Sequence, residues 1–413
     1  MEILWEYGLP TDENSRDHQY ESPIFVKDNC VLFVCRNSED RRKYSLYIID
    51  KTTGALKEEV KLGGHTVIPE KCFFETVGKK TVIYTGSLWT YTNEEGLREL
   101  CENLFECENA PVPEELSAYD LALFFEERQG YEITSHLVYG NCFIFSNKYG
   151  LYCIDVEENT LKWKINAPNS TSLSCGCIKL FEDKLSFYGN DKLLFADISS
   201  GDIVDEIKIS RISKLFSPVR MSDGTILMGY TNWSGAGILR YDTKCKKVIW
   251  KSKRSFEGPL PRCSVFLWNG LAYWIKNDTE LICINKESGE EAYSVPTRPW
   301  LYAEPFFMNG RIIFGTSGAN GFLTNIDAEK GNVIWSLPLK NGCAYFAVYE
   351  GNVIAGDFDK KLYSIDFASG EILQEISVGG EVVGSLTAED GFAYTVVWGN
   401  ETKPIKLIKV KIS

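Results

Sequence analysis

Short apolar runs separated by polar clusters fill this chain, and their lengths and spacings are those of strands rather than helices. The clearest unit is Phe322 to Leu339, FLTNIDAEKGNVIWSLPL. Leu323 and Ile326 lead into Asp327, a polar tetrad ends at Gly331, and Val333, Ile334 and Trp335 open a second strand. Gly331 offers a left-handed turn position at no steric cost, and Asp327 can accept hydrogen bonds from the N–H groups of its own turn. A hairpin is expected here on mechanism as well as on pattern.

The same phrase recurs as Asp50 with Gly54, Asp155 with Asn159, Asp197 with Gly201, Asp242 with Lys246, Asn285 with Gly289, Asp327 with Gly331 and Asp366 with Gly370. From Asp155 onward the anchors step by 42, 45, 43, 42 and 39 residues, the period of propeller blades. A weaker copy, Leu88 to Thr92 with Gly96, fills the gap after Asp50. Two further strand-like runs precede each anchor, often joined by a tight-turn signal such as Asn309-Gly310 or Glu350-Gly351. Four strands per period make one blade. The units fall at about 20–62, 65–107, 132–166, 172–209, 216–253, 262–295, 302–338 and 343–378.

The remainder, 381–413, holds only three strands, and Ile3 to Tyr7 resembles Val333 to Leu337 closely enough to supply the fourth. The fold expected is therefore all-β, a closed β-propeller of four-stranded blades forming one domain over 1–413. Its ring closes where the N-terminal strand joins the C-terminal blade, which leaves no open edge. Eight or nine blades are expected, 65–107 being the unit most in doubt. Residues 109–131, with Pro113, helically spaced Leu116, Tyr119 and Leu123, and a stop at Gly130, are expected to be a helical loop insertion between blades two and three.

Eight residues past the anchors stand Trp163, Trp250 and Trp335, with Tyr293 at the matching place. A strand, an Asp, a Gly four on and a Trp four further resembles the repeat of the PQQ-like, quinoprotein-type β-propellers. That resemblance implies that Trp163, Trp250 and Trp335 dock each blade on its neighbour. It also raises a quinone cofactor, but the chain has no adjacent-cysteine pair, and Glu58, Asp205 and Gln374 replace the Trp in other blades. PQQ is not expected, no cofactor is assigned, and the resemblance is read as one to the non-enzymatic members.

Composition narrows the function further. A net charge of −13 opposes nucleic-acid binding. No apolar segment approaches the length of a membrane span and no leader pattern opens the chain, so a cytoplasmic location is expected. The 13 scattered cysteines read as reduced, partly buried thiols.

Two constellations remain. His18, His65 and His136 are the only histidines; with His65 and His136 near or within inner strands and His18 before the first of these, all three could approach the channel from one side as a metal centre, while the plainer alternative is three unrelated polar residues on strand ends. The loops between blades carry Arg211, Lys214, Arg254, Arg262 and Arg298, accompanied by Trp300 and Tyr302, the residue types that anchor interfaces. The expected function is a cytoplasmic, non-catalytic scaffold binding a protein or an anionic ligand over this loop face. The alternative is an enzyme at the channel mouth, a lyase or a degenerate quinoprotein.

Overall fold

The computed structural model describes residues 1–9, 23–36, 44–62, 72–85, 88–92, 94–100, 135–147, 150–166, 178–189, 192–212, 214–232, 235–252, 266–268, 271–276, 280–297, 305–342, 345–398 and 405–412. Within them the strands form nine four-stranded antiparallel sheets. Eight are consecutive in sequence: blade 1 over 25–62, blade 2 over 73–99, blade 3 over 135–166, blade 4 over 179–207, blade 5 over 214–251, blade 6 over 266–296, blade 7 over 306–342 and blade 8 over 346–377. Blade 9 takes its first three strands from 381–411 and its fourth from Glu2–Gly8, with Glu2 opposite Lys411 and Gly8 opposite Lys406. The choice between eight and nine is settled at nine. The doubtful unit is a blade of its own, and its turn is capped by Thr92, whose Oγ1 accepts from the Glu95 amide at 2.9 Å.

Among the described residues every regular element is a strand; the helical insertion expected at 109–131 lies outside them. Ser317 to Gly321, which reads as a loop, is instead the start of the third strand of blade 7. Ser317 pairs with Gly342 and Asn320 with Lys340, so the last two strands of this blade extend as a ribbon.

The hairpin chemistry follows the sequence. In the two-residue turns Asn309-Gly310, Glu350-Gly351 and Asp390-Gly391 both residues have positive φ, the geometry whose twist matches that of the flanking strands. In the third-to-fourth turns the anchor side chain accepts from the amides two and three residues on. Asp327 Oδ1 takes Glu329 and Lys330 at 2.8 and 2.9 Å, and Asn285 Oδ1 takes Glu287 and Ser288 at 2.9 and 3.0 Å.

These donors hold the anchor carboxyls below their ordinary value: the Thr53 amide foremost at Asp50, down to about 2, the Glu158 amide at Asp155, the Ser199 hydroxyl at Asp197, the Cys245 amide at Asp242 and the Ser369 hydroxyl at Asp366. A carboxyl whose folded pKa is depressed stabilises the fold above its unfolded pKa and loses that contribution as pH falls through the folded value. The urea midpoint is therefore expected to fall between about pH 4 and pH 2. Replacing Asp50 and Asp366 by Asn, the residue blade 6 already uses, should flatten that fall, and an unchanged slope would refute the assignment.

The core sits between blades. Nine buried clusters each draw on two neighbouring sheets, one per seam, from Phe33 and Tyr47 against Tyr394 at the closure to Ile313 and Leu323 against Val353 and Ile365 between blades 7 and 8. This explains why the third strands are mostly buried, as in Gly150–Asp155, whereas outer strands such as Ile203–Ile207 are mostly exposed.

Candidate functional site on the loop face

The three sequence-predicted docking tryptophans do dock, and the way they do so defines which groups the scaffold uses up. The ring of each packs flat against the turn glycine of the next blade: Trp163 on Gly201, Trp250 on Gly289 and Trp335 on Gly370. Tyr293 does the same on Gly331, and Trp5 on Gly54 closes the circle from blade 9 to blade 1. A Cβ on Gly331 would stand 2.4 Å from the Tyr293 ring, so this approach excludes every other residue. Blade 4 has Asp205 at the docking position, and the facing turn of blade 5 accordingly carries Lys246, with φ of 52°, in the glycine's place.

At Asp50, Asp197, Asn285, Asp327 and Asp366 the carbonyl after the anchor receives a donor from the preceding blade. Trp163 Nε1 reaches Ile198 O at 3.1 Å, Tyr293 Oη reaches Ala328 O at 2.6 Å, and Trp335 Nε1 reaches Phe367 O at 3.0 Å. Trp5 Nε1 reaches Lys51 O at 3.2 Å. The residue paired with the docking aromatic across the bulge of the third strand also donates: Asn325 Nδ2 to Phe367 O at 2.9 Å and Lys409 Nζ to Lys51 O at 2.9 Å as second donors, and Arg240 to Lys286 O at 3.3 Å in place of Trp250, whose Nε1 is buried without a partner. Sequence reasoning missed these partners. Their signal is a polar residue in an otherwise apolar third strand, two before the anchor in Asn325 and Arg240.

The antiparallel order puts all the first-to-second and third-to-fourth turns on one face and the remaining loops on the other. Among the described residues nine non-glycine residues have positive φ. Seven belong to the tight turns; the other two, Arg211 at 63° and Lys360 at 69°, stand on the loop face, exposed and basic. Arg211 lies between blades 4 and 5. Lys360 ends a short loop that begins at Asp357, a carboxyl 1% exposed whose pKa is raised by burial and which accepts from Tyr363 Oη at 2.8 Å. The Lys360 carbonyl accepts from the Val378 amide at 2.8 Å, fixing the backbone beneath the exposed side chain.

Of the other expected interface residues, Lys214 begins the first strand of blade 5, while Arg254, Arg262, Arg298, Trp300 and Tyr302 lie outside the described residues. So do His18 and His65. His136 sits on the inner strand of blade 3, with Nε2 2.9 Å from Glu75 Oε1 of blade 2 and its ring stacked 3.9 Å from Phe73. Glu75 was not foreseen as its partner. Among the described residues no group of three His, Cys, Asp or Glu side chains converges on a metal-sized space. No helix among them is long and apolar enough to cross a membrane.

The chain is similar in part to several known proteins. A family model described as outer membrane protein assembly factor BamB matches residues 234–403. The dehydrogenase subunit of a quinone alcohol dehydrogenase from Komagataeibacter europaeus is 28% identical over 133 residues, covering 27% of this chain and 18% of that protein. The chain thus spans under a fifth of that relative's length. Among solved structures, BamB from Moraxella catarrhalis aligns with a TM-score of 0.46 at 14% identity, covering 83% of this chain and 95% of that one. The computationally designed Ika8 protein aligns with a TM-score of 0.47 at 11% identity, over 95% and 97%. The anchor-and-tryptophan repeat and its nine four-stranded blades are those of a β-propeller, and over residues 234–403 the chain is similar to the PQQ-like propellers that the BamB family model describes.

Proposed function

We propose that the protein is a non-catalytic propeller scaffold that binds a protein partner through acidic groups presented to its basic loop face. The observation that carries this reading is the pair Arg211 and Lys360. Both are exposed cations held in left-handed backbone on the face where the loops gather. A non-glycine residue in that region carries strain, and loops on a rigid ring are where binding residues concentrate. Arg254, Arg262, Arg298, Trp300 and Tyr302 belong to the same set of connections in the sequence. The family model's description as an assembly factor supports a protein partner. A cytoplasmic site of action is part of the proposal, in keeping with thiols such as Cys153 and Cys283 standing free in blade interiors.

Charge reversal tests it. Arg211→Glu combined with Arg262→Glu and Arg298→Glu is expected to reduce partner recovery at least tenfold, and raising salt should weaken the wild-type interaction in the same direction. Lys246→Glu, on the opposite face, should leave recovery unchanged. Equal recovery from all variants would overturn the proposal. The local identity to a quinone alcohol dehydrogenase favours a second reading, an enzyme at the channel mouth. Stoichiometric PQQ binding, measured by absorbance on titration, would favour it over the scaffold.

A further inference from the structure

Blade 3 carries a feature that neither docking nor the loop face uses. Cys142 opens its second strand opposite Asp155, and Cys153 lies on the third strand opposite Ile144. The two residues are therefore diagonal neighbours on one side of the sheet, and both belong to the apolar cluster in the seam between blades 3 and 4. Lys162 Nζ stands 3.6 Å from Cys142 Sγ and 3.1 Å from the Asp155 carboxylate. Cys142 is partly exposed, whereas Cys153 is fully buried. Cys153 also pairs across the sheet with Trp163, the residue that docks blade 3 on blade 4.

Blade 1 offers an internal comparison. Cys30, Lys57 and Asp50 repeat the same triad, with Lys57 Nζ 3.4 Å from the sulfur and 3.3 Å from the carboxylate. There the thiol is fully buried and Ile48 occupies the place of Cys153. The accessible thiol and the second sulfur occur together in blade 3.

We propose that Cys142 and Cys153 form a reversible dithiol–disulfide switch, driven by hydroperoxides, that sets how firmly blade 3 docks on blade 4. Lys162 Nζ lies against the Cys142 sulfur, whose thiolate is the form that reacts. The thiolate sulfur attacks one peroxide oxygen, the O–O bond breaks and the other oxygen leaves as water or an alcohol; sulfur is oxidised by two electrons to a sulfenic acid and the peroxide is reduced. The Cys153 sulfur then attacks the Cys142 sulfur, the S–O bond breaks, and the oxygen leaves as water with the Cys153 proton. Two equivalents of a small thiol restore the pair and become a disulfide themselves. Closing the sulfurs to about 2.05 Å across a diagonal pulls on the third strand directly opposite Trp163. A disulfide made against the preferred geometry of the sheet is easily reduced, as a switch requires.

The test treats the full chain with hydrogen peroxide, alkylates remaining thiols after denaturation and maps the peptides. A Cys142–Cys153 link is expected while Cys30 remains alkylated, with faster amide exchange at the Asp197–Gly201 turn that dithiothreitol reverses. Cys153→Ser should let dimedone capture Cys142, and Lys162→Met should slow the reaction several-fold. If both thiols remain alkylated when exposed Cys245 is fully oxidised, or if Cys30 reacts as fast as Cys142, the switch does not exist. A link that forms without change at the 197–201 turn overturns its coupling to docking.

Discussion

Trp335→Ala is expected to destabilise the ring by about 3–5 kcal/mol, the range for truncating a large buried aromatic. The side chain is 9% exposed and packs with Leu339, Tyr363, Ile365 and Phe367 of the seam between blades 7 and 8. Its hydrogen bond is the smaller part. Phe367 O also receives Asn325 Nδ2 at 2.9 Å, so Trp335→Phe leaves that carbonyl satisfied and should cost only about 1 kcal/mol beyond the lost volume. The turn glycine gives the stricter check. A Cβ on Gly370 would lie 2.6 Å from the Trp335 ring, and its φ of 76° is left-handed. Gly370→Ala alone therefore pays for both collision and backbone strain, but in a Trp335→Ala background only the strain of about 1–2 kcal/mol remains. Urea denaturation of the four species should show strong non-additivity; simple additivity would mean the ring and the turn do not meet. Gln374→Ala, at the equivalent and exposed position of blade 8, should change stability by less than about 0.5 kcal/mol.

These residues also show what was readable in the sequence and why. The third-to-fourth hairpins were legible because their chemistry is local: an anchor oxygen, two amides and a left-handed residue within five positions. The unit at 65–107 was obscured because Thr92 does with a hydroxyl what Asp does elsewhere. Seam partners were harder, since Lys409 and the Lys51 carbonyl it serves are 358 residues apart, and nothing local reports on that distance. The Ser317 ribbon read as a loop because glycine and serine are poor strand formers alone, yet Lys340 and Gly342 supply the partner strand. Of the loop-face residues, Arg211 could be named from charge, but its left-handed backbone and its likeness to Lys360 emerge only with the fold. Lys360 sits within a blade, between its second and third strands, where loop charge alone does not mark it.

The seam between blades 5 and 6 makes the second strong prediction, in which removing two anions costs more than removing the cation they share. Arg240 is 7% exposed and donates to Thr225 Oγ1 at 2.9 Å and to Lys286 O at 3.3 Å, while pairing with Asp223 of its own blade and Glu287 of the next. The two carboxylates are 49% and 63% exposed on their side chains. The burden of desolvation thus falls on the guanidinium. In Arg240→Met the carboxylates turn to water, the side chain fills the volume of the arginine stem, and the loss is expected at about 1–2 kcal/mol, chiefly the donors to Thr225 and Lys286. In Asp223→Ala with Glu287→Ala a buried cation is left without a counter-charge, for which about 3 kcal/mol or more is expected. Adding Arg240→Met to that pair should restore stability toward the level of Arg240→Met alone, a rescue that no independent-contact account produces. Asp223 also gives the seam an acid limit. The Thr225 hydroxyl first, and Arg240 with it, hold its pKa down to about 2, so its contribution is present above about pH 4 and disappears as the pH falls toward that value. If the double carboxylate variant proves no less stable than Arg240→Met, the guanidinium must reach solvent when unpaired, and the seam is held by its apolar cluster of Leu227, Ile238, Ile282 and Ile284 instead.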